Sequence, residues 1–138
     1  MGYELKQTGS GVQIWDDVSG AQGGLVMALA GKVTVAPTNT VVVGTLPANA
    51  QILNIYITVP VVSNAGTTAT VSLGLSGGSG TAFTAAQDVK SAVGNFAPTA
   101  TAAWAISTAK QDITVTYTET GTASTAGTVY YAIKYVVN

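Results

Sequence analysis

The stretch Thr67-Thr68-Ala69-Thr70-Val71-Ser72-Leu73-Gly74-Leu75-Ser76 alternates without a fault. In an extended chain Ala69, Val71, Leu73 and Leu75 fall on one side, and Thr68, Thr70, Ser72, Gly74 and Ser76 on the other. A period of two is the mark of a strand with one buried face. Asp112 to Thr120 repeats it, with Ile113, Val115 and Tyr117 set against Thr114, Thr116, Thr118 and Thr120. Near the C-terminus Val129, Tyr131, Ile133, Tyr135 and Val137 share one face, and Tyr130, Ala132, Lys134 and Val136 the other. That last strand is apolar on both sides, which places it centrally in a sheet or puts its second face in an interface.

Outward from these three, strands are expected at Gly11 to Trp15, Leu25 to Ala36, Thr40 to Leu46, Gln51 to Val59 and Thr101 to Ser107. Turn-forming residues separate them at Pro37, Pro47-Ala48-Asn49, Pro60, Asn64-Ala65-Gly66, Ser76 to Gly80 and Gly121 to Gly127. One segment reads differently. Thr84-Ala85-Ala86-Gln87 fits a capping box, Ala85, Val89 and Val93 share a helical face, and Gly94 supplies a stop, so a short helix is expected there. The fold class is therefore all-β: a single β-sandwich or jelly-roll-like domain of about eight antiparallel strands with one short helix. Residues 1–24 hold six glycines and little periodicity, so they read as an extended N-terminal arm, and residues 25–138 as the sandwich.

Composition excludes more than it assigns. The 138 residues include five lysines and six carboxylates, for a net charge of −1, and no histidine, cysteine or arginine. Charged residues make up 8%, against about 25% in an ordinary soluble domain. Without an imidazole or a thiol the common triads for nucleophilic catalysis have no base or no nucleophile. Glu4, Asp16, Asp17, Asp88, Asp112 and Glu119 are scattered, and the adjacent Asp16-Asp17 suits a turn or cap. Together with Ser19 that pair matches no calcium-loop spacing. Gly77-Gly78-Ser79-Gly80 lacks the Lys and Ser/Thr of a phosphate loop and reads as a hairpin connection. No enzymatic activity, cofactor or metal site is expected.

Scattered lysines and a slight negative charge argue against nucleic acid as a partner. The longest apolar run, Leu25 to Ala30, is far short of a membrane-spanning helix, and neither an export signal nor a lipid anchor is read at the N-terminus. Trp104, among alanines, is expected to fill the core; a sugar-stacking platform is the functional alternative. The stripe Thr114, Thr116, Thr118, Thr120 reads as an ordinary strand face rather than an ice-ordering rank, because no fixed repeat extends it to other strands.

The order of several segments resembles small head-decoration, or capsid cement, proteins of tailed bacteriophages. The resemblance covers roughly residues 32–137. It runs through Leu46-Pro47-Ala48-Asn49-Ala50 into Ile52 to Val59, then Thr70-Val71-Ser72-Leu73-Gly74, then Ala82-Phe83 with Asp88-Val89. It ends in Ile113-Thr114-Val115-Thr116, Thr125-Ala126-Gly127-Thr128-Val129 and Tyr135-Val136-Val137. It implies a non-enzymatic virion protein, made in the host cytoplasm, that sits on the outer capsid surface as a homotrimer and clamps neighbouring major capsid subunits. A host- or glycan-binding module of a fibre or tail is the alternative. Val12, Ile14 and Trp15 of the arm and Tyr130 and Val136 of the last strand are the expected interface residues, as apolar or aromatic groups on segments without a clear core role.

Overall fold

The computed structural model describes residues 5–7, 13–15 and 25–138. Ten strands follow in chain order: β1 (Leu5–Gln7), β2 (Gln13–Trp15), β3 (Met27–Val33), β4 (Asn39–Leu46), β5 (Ala50–Val61), β6 (Thr68–Leu75), β7 (Gln87–Asp88), β8 (Gly94–Phe96), β9 (Gln111–Thr120) and β10 (Thr128–Val137). Eight of them build two antiparallel four-stranded sheets, in the orders β3-β10-β5-β8 and β4-β9-β6-β7. β1 and β2 pair with each other, Lys6 opposite Ile14.

The alternating faces meet between the sheets. Ile55, Ile57, Leu73, Ile113 and Ile133 are wholly buried there, with Phe83, Tyr117, Val71 and Val129. Each such side chain contributes on the order of 1.5–3 kcal/mol by leaving water. β10 lies between β3 and β5, the central position its two apolar faces require. On β5 the inward parity changes midway: Ala50 and Ile52 face the core, and so do Ile55, Ile57 and Val59. A register shift against β10 between Lys134 and Tyr135 absorbs the extra residue, and Leu53 is left exposed at that bulge.

Three expectations need correction. There is no helix over residues 84–94. The Thr84 hydroxyl, which would have capped it, accepts the Leu73 amide at 3.0 Å, and Thr84 in turn donates its own amide to the Leu73 carbonyl. Gln87 and Asp88 then pair with β6 as β7, and Val89 is buried in the core. The open edge of β6 needed backbone partners, and that tertiary demand overrides the weak helical preference of two alanines. Nor is there a strand over residues 101–107. Ala102–Trp104 forms a 3-10 turn, held because Thr101 Oγ1 donates to the Ala82 carbonyl at 2.6 Å and Trp104 Nε1 to the Phe83 carbonyl at 2.7 Å. Trp104 is accordingly half-buried, packed against the core rather than filling it.

The third correction concerns the threonines. The stripe on β9 does extend sideways: Thr116 lies between Thr40 of β4 and Ser72 of β6, Thr118 beside Thr70, and Thr120 beside Thr68. The hydroxyls bond one another, Thr40 to Thr116 at 3.0 Å and Thr68 to Thr120 at 2.6 Å. Strand pairing, not a sequence repeat, assembles this sheet of hydroxyls. One end of it is covered, because the β6–β7 loop folds back over Gly74. A β-carbon on Gly74 would collide with the backbone of Ser79 and Gly80. Thr114, the register partner of Gly74, is buried beneath that loop.

At the opposite end, a hydrogen-bonded knot ties three loops. Tyr117 Oη meets Ser63 Oγ at 2.7 Å and donates to Glu119 Oε2 at 2.8 Å. The Ser124 amide donates to the same carboxylate at 3.2 Å, and Ser124 Oγ reaches the Val35 carbonyl at 3.4 Å. Asn64 bridges across, accepting the amides of Thr125 and Ala126. Hydrogen bonds from Ser124 and then Tyr117 hold the Glu119 carboxyl below its ordinary pKa. Burial pushes the Tyr117 and Tyr131 hydroxyls up.

Two outcomes are expected. Gly74→Ala forces the β6–β7 loop off the sheet and lowers unfolding free energy by about 1–3 kcal/mol, whereas Thr118→Ala, on the exposed part of the same face, changes it by less than about 0.5 kcal/mol in urea denaturation. The second concerns pH. A carboxyl whose folded pKa is depressed stabilises the fold above its unfolded value of about 4.3 and loses that contribution as pH falls through the lower folded value. The melting temperature therefore drops on acidification below about pH 4, and Glu119→Gln shows a shallower drop. The raised tyrosines act oppositely, withdrawing stability as pH rises beyond about 10.

Candidate functional site

The carboxylates among the described residues stand apart. Asp112 is the second residue of β9 and accepts Thr45 Oγ1 at 2.6 Å, and Glu119 is the last but one of the same strand, about 23 Å away at the rise of an extended chain. Asp88 sits on the edge strand β7, where it accepts the Ser91 hydroxyl and the Lys90 amide and is thereby held below its ordinary pKa. Each oxygen pair serves a loop or a neighbouring strand. No group of three or more His, Cys, Asp or Glu gathers among the described residues. An open hollow of about 420 Å³ lies between Lys110-Gln111-Asp112 and the Ser76-Gly77-Gly78 turn; that turn belongs to the β6–β7 connection.

What the fold offers instead is surface. The outer face of β3-β10-β5-β8 carries alanines along its β3 side, with Ala28 and Ala30 on β3 opposite Lys134 and Ala132 on β10. Tyr130 on this face is 43% exposed, Val136 is half-buried, and Lys134 Nζ stands 5.7 Å from the centre of the Tyr56 ring. Lys32, opposite Tyr130, is exposed beside them. This sheet carries two lysines and no carboxylate among its described residues; Asp88, Asp112 and Glu119 all belong to the other sheet.

The edges differ more sharply than the faces. On one side the sheets end in β8 and β7, of three and two residues. On the other they end in β3 and β4, of seven and eight residues, consecutive in the chain and packed together where Leu29 lies against Gly44. Half of the large apolar side chains left exposed among the described residues lie on these two strands or just before them: Leu25 at 81%, Val26 at 60%, Met27, Val41 and Val42. β4 breaks register between Val42 and Gly44, a bulge that spoils it as a template for a further strand. β3 has no such break and pairs with β10 over its whole length. Among the described residues its other side is a regular, unpaired ladder about 23 Å long.

Of the residues expected at an interface, Tyr130 and Val136 fall together on the outer face of β10. Ile14 and Trp15 are in β2, and Val12 lies outside the described residues. The exposed edge was not foreseen from the sequence. Its signal was present: Leu25 to Ala30 and Val41-Val42-Val43 are apolar without alternation. Such runs ordinarily mark central strands, and here they lie at an edge.

No protein-family model and no curated protein matches the chain. Solved structures do. A chain of the cyanophage Pam1 capsid asymmetric unit superposes with a TM-score of 0.66 at 22% identity, over 84% of this chain and 87% of that one. A chain of the acid-stable capsid of Helicobacter pylori bacteriophage KHP30 gives 0.67 at 10% identity, over 82% and 88%. A chain of the capsid of Ralstonia phage GP4 gives 0.63 at 23% identity, over 86% and 88%. At these identities the likeness is one of fold, and it spans nearly the whole of each partner: the protein shares its β-sandwich with chains of three phage capsids.

Proposed function

We propose that the protein is a structural component of a bacteriophage virion, a decoration protein that seats on the outer capsid surface as a homotrimer and stabilises the shell by bridging major capsid subunits. It is made in the host cytoplasm. Its residues 1–24 act as an attachment arm and residues 25–138 as the sandwich that carries the clamp. The observation that carries this reading is the near end-to-end likeness in fold to chains of three phage capsids. Two features support it. The strand order, β3-β10-β5-β8 over β4-β9-β6-β7, reads as a double-sheet jelly roll, an architecture common in viral capsid domains. A bridging role draws on area rather than reactive groups, and stable assemblies bury about 2,000 Å² or more of apolar-rich surface. The sparse charge and the apolar edge suit that demand. Tyr130 and Val136 on the outer face, with Val12, Ile14 and Trp15 of the arm, are the contact residues.

Light scattering on the isolated protein tests the assembly: a mass three times the 13.8 kDa chain is expected at micromolar concentration. A monodisperse monomer contradicts it. Copies counted in purified particles should number in the hundreds, as a shell protein requires; tens or fewer would assign the chain to a fibre or tail.

A further inference from the structure

Among the described residues the outer side of β3 is the least protected strand edge. Natural edge strands are kept short, charged, bulged or covered. β7 and β8 are short, β4 is bulged, and β3 is neither. Its one charged residue is Lys32, and the residues leading into it, Leu25 and Val26, are largely exposed. This edge is built to receive a strand.

The same chain holds a matching donor. β1 and β2 form a ladder of three residue pairs that, among the described residues, joins neither four-stranded sheet. A two-stranded ribbon of that size is not stable alone in water. Charge points the same way. Residues 1–24 contain three carboxylates, Glu4, Asp16 and Asp17, against the single Lys6; residues 25–138 contain four lysines against three carboxylates. Among the described residues, the charged groups on β3 and its neighbour β10 are lysines: Lys32 near the C-terminal end of β3, and Lys134 across from Ala28 near its start. Asp16 and Asp17 directly follow β2, so an acidic segment adjoins the donor strand and basic groups flank the receiving one.

We infer that residues 1–24 of one copy add to the free β3 edge of a neighbouring copy, Ile14 and Trp15 covering the apolar approach at Leu25–Met27. This rests on the assembly reading above and names the surface that performs it. Donor and acceptor are different patches, so the contact is heterologous, the kind from which a trimeric ring is built when its rotation closes. Direct β3-to-β3 pairing would instead be a two-fold contact.

The absence of cysteine makes the test clean. Two full-length variants, Ile14→Cys and Ala30→Cys, carrying different tags, are unfolded, mixed, refolded together and treated with a short thiol-bridging reagent; Ile14→Cys with Thr118→Cys, on the opposite sheet, is the control pair. Cross-linking of Ile14→Cys to Ala30→Cys is expected to exceed the control on the order of a thousandfold, the ratio of the millimolar effective concentration of a docked segment to the micromolar concentration of free chains. Bridging confined to single chains in an Ile14→Cys/Ala30→Cys double variant would overturn the exchange between copies, and bridging between two Ala30→Cys chains would replace it with β3-to-β3 pairing. A trimer by light scattering with no bridging beyond the control refutes this contact alone; a monomer refutes the assembly reading as well.

Discussion

The N–H and C=O groups along a strand must find partners on both sides or stay in water, and this requirement organises the protein. Inside each sheet the ladders satisfy it. On the β7/β8 side the chain satisfies it with its own irregular segments: residues 83–89 lie along β6, and Trp104 and Thr101 fasten the 3-10 turn to residues 82–83. On the β3/β4 side nothing in the described chain does so. The molecule is closed at one flank and open at the other, and the open flank is apolar.

The same requirement explains where the sequence was readable. The alternating strands β6, β9 and β10 lie within a residue of where periodicity puts them, because burial of one face between the packed sheets enforces a period of two. The segment 84–94 was misread since its helical signals are local, whereas the need it answers, an unpaired β6 edge, is visible only once the sheets exist. Trp104 was misplaced for the same reason: its indole N–H is satisfied by the distant Phe83 carbonyl. The threonine lattice joins residues 76 positions apart, a register no single strand encodes. The apolar runs at Leu25 to Ala30 and Val41 to Val43 look like central strands, and they are edges, a position that the order of the strands in each sheet fixes and a local run does not.

Scarce charge follows from the same design. A surface that meets other protein over much of its area gains little from ions that must be desolvated. The carboxylates among the described residues serve loops and strand pairs: Glu119 gathers three loops through Tyr117 and Ser124, Asp88 caps a turn, and Asp112 anchors Thr45. On the outer face of the β3 sheet Lys32 and Lys134 are exposed, and Lys134 stands over the Tyr56 ring.

An image of the intact virion at a resolution that traces strands tests the account most directly. The account predicts the sandwich on the outer surface of the shell in groups of three, with density continuing the β3-β10-β5-β8 sheet beyond β3. A shell without this chain, or the chain in place with β3 bare to solvent, would contradict it.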